Sequence, residues 1–314
     1  MDLTLNADQR DLRAALRDHL RDVWTPDRLR AAADAPAIDR TRWAALAELG
    51  VFTLTSPDMG LGLADAVILF EELGRALVPG PLTATFLAAG LVPADAVVTM
   101  VDTGAPVLLA EHVESATHLV VVDDDGLFLV RDFVTSPIRT PLDPLTPVSQ
   151  VTVRAGDGER IGSAADAARW RAHGALLTAA LQVGVAQGGL DLAVRYATER
   201  VQFDRVVGSF QAVKHLLADA LVRVDLARAA VLVAALLADD PGAKDADEHL
   251  CAAKVLADDA ATQGGRCCVQ VHGGMGFTWE VLAHLYLKRA WLLETCFGAA
   301  DEHALRLATA MADS

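Results

Sequence analysis

One stretch of the chain, RYATERVQFDRVVGSFQAVKH at residues 195–215, carries the side chains best suited to binding an anion. Three guanidinium groups fall close together in it, those of Arg195, Arg200 and Arg205. A guanidinium group binds phosphate oxygens through a planar pair of N–H donors. Phe203 adds a flat apolar surface and Gln211 an amide. Each residue alone is typical of an ordinary helix end, so an anion site needs support from a second segment.

The second segment is VQVHGGMGFTWE, residues 269–280, which places three glycines within four residues after a helix-favouring region. Spacing alone favours a helix C-cap followed by a tight turn. It is not a Rossmann fingerprint, because no strand precedes it and the GxGxxG spacing is absent. A functional interpretation is that bare backbone at Gly273 and Gly274 lets a bulky polar ligand approach the amides. Gln270 would then supply a side-chain amide to the same ligand.

Composition and charge exclude several classes of function. The net charge of −15 over 314 residues opposes nucleic-acid binding, which needs a concentrated positive field, but allows a small anion held by local arginines. The four cysteines form no CxxC pair and no spacing suited to zinc, so we expect buried, reduced thiols and no metal site. The apolar run AVLVAALLA at 230–238 is far shorter than the roughly 20 residues of a membrane span. The charged, amphipathic N-terminal sequence is unlike a secretion signal, and we expect a soluble, cytoplasmic protein.

The chain has three regions that differ in residue pattern, helical, strand-like and again helical, and we predict one domain for each region. These domains must position the two segments. Residues 1–90 are predicted to form an N-terminal helical domain, with Asn6 as an N-cap. A second helix, DRTRWAALAELG, closes on Gly50, and a third, ADAVILFEELGRAL, runs into the breaker PGPL. The glycine-punctuated loop SPDMGLGLAD separates the second helix from the third.

Residues 91–162 are predicted to form a small β domain, in which HLVVV and GLFLV flank DDDG as a hairpin with Gly126 in the turn. PVLLA and VSQVTV are candidates for additional edge strands of that sheet. Residues 163–314 return to a helical period, with one apolar face over about 213–234. The long helices of this last domain are predicted at about 175–198, 213–234, 246–271 and beyond 281. Short connections between them suggest a four-helix bundle, with the glycines joining its third and fourth helices.

Three stretches together resemble the acyl-CoA dehydrogenase family. They are RVQFDRVVGSFQAVKHLLADA, QVHGGMGFTWE followed by HLYLKRA, and AALAELGVFTLTSPDMGLGLADAVILFEELGRAL. The resemblance covers about residues 3–82 and 164–307. It implies a mainly α, acyl-CoA dehydrogenase-like fold, with an N-terminal helical domain, a truncated small β domain and a C-terminal four-helix bundle. It also implies FAD as the cofactor and an acyl-CoA thioester as the substrate.

The resemblance further implies which residues contact FAD. Carried over by position, the family's contacts to the adenosine and pyrophosphate end of FAD fall on Arg200, Phe203, Gln211, Gln270, Gly273 and Gly274. In the family these contacts are usually made to an FAD that a neighbouring subunit mainly holds. Asp204 departs from the family pattern, which has glycine there. A carboxylate beside a pyrophosphate is unfavourable unless Arg200 or Arg205 neutralises it.

The family's reaction requires a carboxylate that this chain lacks at the usual places. That carboxylate takes the proton next to the thioester carbonyl while hydride leaves the β-carbon for the flavin, which gives a 2-enoyl-CoA. In KRAWLLETCFGAADEH, Phe297 stands where a glutamate normally precedes the glycine. The other place, early in the first bundle helix, aligns with Gly174 beside His173. Glu294, three residues before Phe297, is the remaining candidate for a displaced base.

A second deficit concerns the flavin ring. The stretch from Pro79 to Pro106 lacks the Thr/Ser-rich segment of the type TEP-x-x-GSD that hydrogen-bonds the ring in the family. Both deficits favour a chain that lends its nucleotide-binding residues to a second acyl-CoA dehydrogenase subunit, as in heteromeric actinobacterial enzymes of steroid side-chain degradation. An electron-transfer flavoprotein is the expected acceptor. Two alternatives stay open at this point: a self-sufficient homo-oligomeric dehydrogenase that uses Glu294, and a scaffold of the same fold without FAD.

Overall fold

The computed structural model describes residues 3–56, 59–153 and 158–313, and the chain forms two compact units. The helical unit consists of Met1–Asp27, Leu63–Val78 and Ala175–Ser314. The mixed unit consists of Arg28–Gly62 and Pro79–Gly174. The predicted loop SPDMGLGLAD lies partly outside the described residues, as does part of the predicted strand-rich region.

The elements follow one another in an order close to the predicted one. The helices are α1 (Ala7–Val23), α2 (Pro26–Asp34), α3 (Arg40–Glu48), α4 (Leu63–Arg75), α5 (Leu82–Leu87), α6 (Ala164–Glu199), α7 (Gln211–Ala238), α8 (Ala246–His272), α9 (Ala283–Glu294) and α10 (Ala300–Asp313). The strands are β1 (Val98–Asp102), β2 (Leu109–Glu111), β3 (His118–Asp123), β4 (Gly126–Val130), β5 (Val134–Pro137), β6 (Val148–Thr152), β7 (Glu159–Ser163), β8 (Val201–Gln202) and β9 (Arg205–Val206). The mainly α fold class is therefore confirmed.

In the helical unit, the signals at the helix ends act as predicted. Asn6 and Gln9 form a capping box at the start of α1, in which the Gln9 backbone N–H donates to the Asn6 side chain over 2.9 Å. Helix α8 covers almost the predicted range. Helix α6 begins at Ala164, earlier than the predicted 175, because Ser163 and Asp166 exchange capping hydrogen bonds at its first turn.

The backbones of α4 and α6 meet at two glycines. A Cβ on Gly74 would lie 2.1 Å from the carbonyl oxygen of Leu181, and one on Gly184 would lie 1.9 Å from that of Glu71. Only glycine allows this approach. Helix α6 is long and apolar enough to cross a membrane, but 78% of its most apolar window is buried inside the protein. Its length and hydropathy therefore serve the core of the protein itself.

The mixed unit contains two sheets, where one was predicted. Strands β1, β3, β4 and β7 form a four-stranded sheet, and the predicted β3–β4 hairpin turns between Asp123 and Gly126. The prediction that PVLLA and VSQVTV extend this sheet was wrong: they contribute β2 and β6, which pair with each other and with β5. Strands β3 and β4 already have neighbours on both sides, and β2 and β6 each bury one face. Ala110 and Val151 from those faces join the core that contains Leu119 and Val121.

Candidate functional site

The arginine-rich segment forms a small hairpin between α6 and α7. Strands β8 and β9 pair antiparallel, with Phe203 and Asp204 at the turn. Both turn residues have left-handed backbone, with φ of 53° and 61°. Two consecutive positive φ angles are typical of a turn that prefers Asn-Gly, so a Phe-Asp pair holds strain of roughly 1–3 kcal/mol per residue. The sequence reading missed this hairpin because Phe-Asp is not a recognised turn signal.

The aromatic residues of the hairpin are arranged around Phe210. The guanidinium of Arg205 lies over the Phe210 ring at 3.9 Å from its centroid. Phe203 meets Phe210 edge to face at 6.1 Å, yet 85% of its surface is exposed. A strained backbone that holds a large apolar side chain in solvent does not serve the protein's own core. Phe203 is therefore available to a ligand or a partner.

The three arginines of this segment, which we name the corner arginines (Arg195, Arg200 and Arg205), are all exposed. Within the described part of the chain, no carboxylate oxygen lies within 4.0 Å of any of them. Asp204 accordingly forms no ion pair with Arg200 or Arg205 there. The neutralisation of Asp204 considered from the sequence is not made within this chain, and the corner arginines keep their charge for another group.

Two of the three glycines that follow α8 have a structural reason to be glycine. Gly276 packs against α8, since a Cβ on it would lie 2.6 Å from the carbonyl oxygen of Val269. Gly273 ends the helix with φ +61°, which glycine adopts without strain. Gly274 has neither reason: its φ is not positive, and a Cβ there would meet nothing within 4 Å. The space in front of Gly273 and Gly274 is open.

The two segments lie next to each other. The ring of Tyr196 stacks on that of His272 at 4.2 Å between centroids. Tyr196 is one turn before Arg200, whose backbone N–H donates to the Tyr196 carbonyl, and His272 directly precedes Gly273. Burial lowers the pKa of His272, although the hydrogen bond from its Nδ1 to the Cys268 carbonyl at 2.8 Å raises it. This neutral, fixed ring joins the hairpin to the glycine junction.

The two glutamines lie at helix ends and are exposed. Gln211 is the first residue of α7, and the N-cap residue Phe210 makes no side-chain hydrogen bond to the first turn. The N–H groups of that turn therefore carry the positive end of a long helix without an internal cap. Gln270 lies in the last turn of α8. Exposed amides, an uncapped helix start, open glycine backbone and unpaired guanidiniums together suit a phosphate-containing ligand.

The loop where the family has its base contains no carboxylate in that position. Phe297 and Gly298 have φ of 56° and 94°, and His303 donates from Nε2 to the Phe297 carbonyl over 3.0 Å. Burial lowers the pKa of His303, which keeps the ring neutral and suited to this bond. Glu294 ends α9 and is half-buried, and Gly174 is buried within α6 beside the half-buried His173.

Sequence reasoning missed one buried carboxylate with a strongly shifted pKa, that of Asp258. Burial raises its pKa to about 6, although the neighbouring Lys254 and Gln182 lower it and Glu294 raises it again. Lys254 Nζ donates to both carboxylate oxygens over 2.9 and 2.8 Å. Both residues are almost fully buried, so this carboxylate is enclosed by its own partners and forms part of the framework of the bundle.

Comparisons with known proteins identify the family of the chain. The family model for the acyl-CoA dehydrogenase N-terminal domain matches residues 6–99, and the family model for the acyl-CoA dehydrogenase C-terminal domain matches residues 167–312. Acyl-CoA dehydrogenase IpdE2 of Mycolicibacterium smegmatis is 33% identical over 303 residues, covering 90% of this chain and 92% of the relative.

Solved structures with this fold include the ChsE4-ChsE5 complex of Mycobacterium tuberculosis, with a TM-score of 0.85 at 24% identity over all of both chains. They also include the Tcur3481-Tcur3483 steroid ACAD, with a TM-score of 0.84 at 27% identity over 99% of each chain. The family models, the curated relative and the fold agree. The chain belongs to the acyl-CoA dehydrogenase family of FAD-dependent oxidoreductases, as the resemblance of its motifs predicted.

Proposed function

We propose that this chain is one subunit of a heteromeric acyl-CoA dehydrogenase and that it holds the adenosine and pyrophosphate end of an FAD whose flavin lies in a partner subunit. One observation carries the proposal: the open backbone at Gly273 and Gly274 directly follows His272, whose ring stacks on Tyr196 of the segment that carries guanidinium groups without a carboxylate partner among the described residues. We name the corner arginines, Phe203 and the backbone at Gly273 and Gly274 the nucleotide corner. A pyrophosphate supplies the negative charge and the acceptor oxygens that the nucleotide corner lacks.

The residues present fit this part of FAD. Arg200 would bind the pyrophosphate oxygens, and the backbone at Gly273 and Gly274 leaves room for the same group. Phe203 offers an exposed ring to the adenosine end, where Gln211 and Gln270 add amide donors and acceptors. The stacked rings of Tyr196 and His272 keep the hairpin and the glycine junction together, so that one ligand contacts both.

The reaction is the α,β-dehydrogenation of an acyl-CoA thioester to a 2-enoyl-CoA, for which the bound flavin supplies the hydride acceptor. This chain supplies binding and orientation at the nucleotide end. It does not supply the base at the family position, because Phe297 has no group that accepts a proton there. The base therefore comes from the partner subunit, and Glu294 is the candidate within this chain for the alternative of a self-sufficient enzyme.

The relatives support the proposed partner and substrate class. The ChsE4-ChsE5 complex and the Tcur3481-Tcur3483 steroid ACAD each pair two different chains, which supports a second acyl-CoA dehydrogenase subunit as the partner. The second of these supports an acyl-CoA with a steroid or lipid acyl group. Electrons then pass to an electron-transfer flavoprotein in the cytoplasm.

The test is to purify the chain alone and after co-expression with an acyl-CoA dehydrogenase encoded beside it, and to record the visible spectrum of each. We expect a colourless chain alone and a yellow complex that acyl-CoA bleaches. In the complex, Arg200→Ala should lower the FAD retained after gel filtration severalfold, because a charge-assisted hydrogen bond to phosphate is lost. Arg306→Ala, an exposed arginine on α10, is the matched control and should retain FAD.

The outcomes of this test distinguish the heteromeric subunit from the self-sufficient enzyme and the scaffold. A yellow chain that is bleached by acyl-CoA without any partner would establish the self-sufficient enzyme, and Glu294→Gln should then abolish bleaching. Absence of flavin under both conditions would establish the scaffold. Equal FAD retention by the Arg200→Ala and Arg306→Ala complexes would contradict the assignment of the corner.

A further inference from the structure

Helix α7 is apolar on two faces, only one of which is covered by its own chain. The covered face consists of Ala220, Val224, Ala227, Val231 and Ala234. The other face carries Leu221, Val222 and Leu226, which are 45%, 58% and 56% exposed. A helix that is apolar on all sides is typical of a protein interior. The sequence reading recognised the first face and missed the second.

The exposed face of α7 borders a groove that it forms with α6. The groove encloses about 540 Å³, and its apolar floor consists of Leu190, Val194, Leu217 and Leu221. We name these four residues and Arg195 the docking groove. Leu190 and Val194 come from α6 and Leu217 and Leu221 from α7, so two helices supply the floor, as in the apolar grooves that bind an amphipathic helix. Exposed apolar surface of this kind marks a protein–protein contact.

The polar side chains along the docking groove have partners within the chain, except at one end of the groove. Asp191 accepts a hydrogen bond from Arg75 Nε over 2.8 Å, and Gln187 is held by Arg228 over 2.7 Å. Arg195, in contrast, has no carboxylate oxygen within 4.0 Å among the described residues. The groove thus offers an apolar floor with one uncompensated positive charge at its end. An occupant that complements it brings apolar side chains and a carboxylate.

The position of that charge identifies the occupant. Arg195 lies in the last turns of α6, directly before the hairpin that carries Arg200 and Phe203. The docking groove therefore ends at the part of α6 that leads along the chain into the nucleotide corner. We propose that a helix of the flavin-holding partner subunit occupies the docking groove and places a carboxylate against Arg195. This inference rests on the proposed function, because the chain that holds the flavin must lie next to the corner.

A second copy of this chain is a poorer occupant on grounds of charge. In a two-fold contact the same surface meets itself. The corner arginines of both copies would then enter one interface, where they outnumber the neighbouring Glu199 and Asp204, and like charges brought together in an interface oppose association. A distinct partner has no such restriction.

The test uses the complex co-expressed with the neighbouring acyl-CoA dehydrogenase as the probe. Leu221→Asp introduces an unpaired charge on the floor of the groove and should weaken association at least about tenfold, as for a central interface residue. Leu305→Asp makes the same change at a residue that is 70% exposed on α10, and should associate like the wild type. Arg195→Glu should weaken association most at low salt, because the lost attraction is screened as salt rises. Circular dichroism of each variant alone checks folding.

Three results would overturn the proposal: a Leu221→Asp chain that folds and associates as tightly as Leu305→Asp, a wild-type chain that does not associate with the dehydrogenase, or a wild-type dimer of this chain alone that Leu221→Asp dissociates. The Arg200→Ala complex separates the two proposals. We expect it to assemble normally and to lose FAD. If the Arg200→Ala complex retains FAD while Leu221→Asp still weakens assembly, the proposal of a partner helix in the docking groove is supported. The proposal that the nucleotide corner binds FAD is then contradicted.

Discussion

Two sets of arginines in the helical unit have opposite surroundings. Arg17, Arg75 and Arg228, which we name the framework arginines, each reach a carboxylate on another helix. Arg17 Nε lies 2.8 Å from Glu72, Arg75 Nε lies 2.8 Å from Asp191, and Arg228 Nε lies 3.0 Å from Glu71. The corner arginines reach none among the described residues. The same residue type therefore occurs in two kinds of surroundings within the helical unit, with and without a carboxylate partner.

The difference distinguishes an arginine that stabilises helix contacts from one that is proposed to bind a ligand. The neighbouring carboxylates raise the pKa of Arg17 and Arg228, so these charges stabilise helix contacts. An unpaired guanidinium adds nothing to folding, and three of them close together repel one another. Such a cluster is a stability disadvantage that a bound anion removes. Sequence spacing does not separate the sets, because the distinction depends on carboxylates distant along the chain.

The largest expected effect tests the framework side of this comparison. Glu72 is only 1% exposed, and it lies between Arg17 and Arg75. Glu72→Ala removes the two charge-assisted hydrogen bonds that Arg17 makes to it and leaves a small cavity, which should cost about 3 kcal/mol of unfolding free energy. The freed guanidinium of Arg17 is 43% exposed and turns to water, so it adds no buried charge. Urea unfolding followed by circular dichroism measures this loss.

Asp11→Ala, at an exposed position on α1, is the control and should change stability by less than about 0.5 kcal/mol. The amount of FAD per folded complex should stay the same in both variants. Loss of FAD with Glu72→Ala in protein that is still folded would show that the two sets of arginines are coupled.

A smaller effect is expected from a pair of substitutions at the glycine junction. Gly276→Ala should destabilise the chain by about 1–3 kcal/mol, because the added methyl meets the Val269 carbonyl. Gly274→Ala meets nothing within 4 Å and should leave unfolding unchanged, while lowering FAD retention in the complex. Unfolding midpoints and flavin content of both variants check this. Equal FAD retention by Gly274→Ala and wild type would contradict a role of Gly274 in binding FAD.

Much of the fold could be predicted because its signals are local. Asn6, Gly50 and Gly126 act at a helix start, a helix end and a hairpin turn, and each does so through its own backbone or side chain. The second sheet could not be predicted, because β2 and β6 pair with each other and not with β3 or β4, which have neighbours on both sides. That outcome depends on tertiary pairing, which a single strand's alternation does not encode.

The motifs indicate the residue types of the candidate site, which stay a prediction, but they do not indicate its geometry. The motifs indicated Arg200 and Gly273, yet spacing gave no reason to expect Tyr196 and His272 to join the two segments by stacking. Asp258 likewise gave no signal, because its raised pKa results from burial in the assembled bundle. Burial and pairing between helices are properties of the folded chain.

The smallest expected effect concerns Asp204, which carries the negative charge next to the corner arginines. Its φ of 61° is unstrained for glycine, so Asp204→Gly should stabilise the chain by about 0.5–1 kcal/mol in urea unfolding. Asp204→Asn removes the charge but keeps a side chain in the left-handed region, and should change stability less. Both variants should retain FAD more tightly than wild type, because a carboxylate no longer opposes the pyrophosphate. If only the glycine variant gained FAD affinity, backbone strain rather than charge would limit binding, and the corner arginines would already compensate Asp204 in the complex.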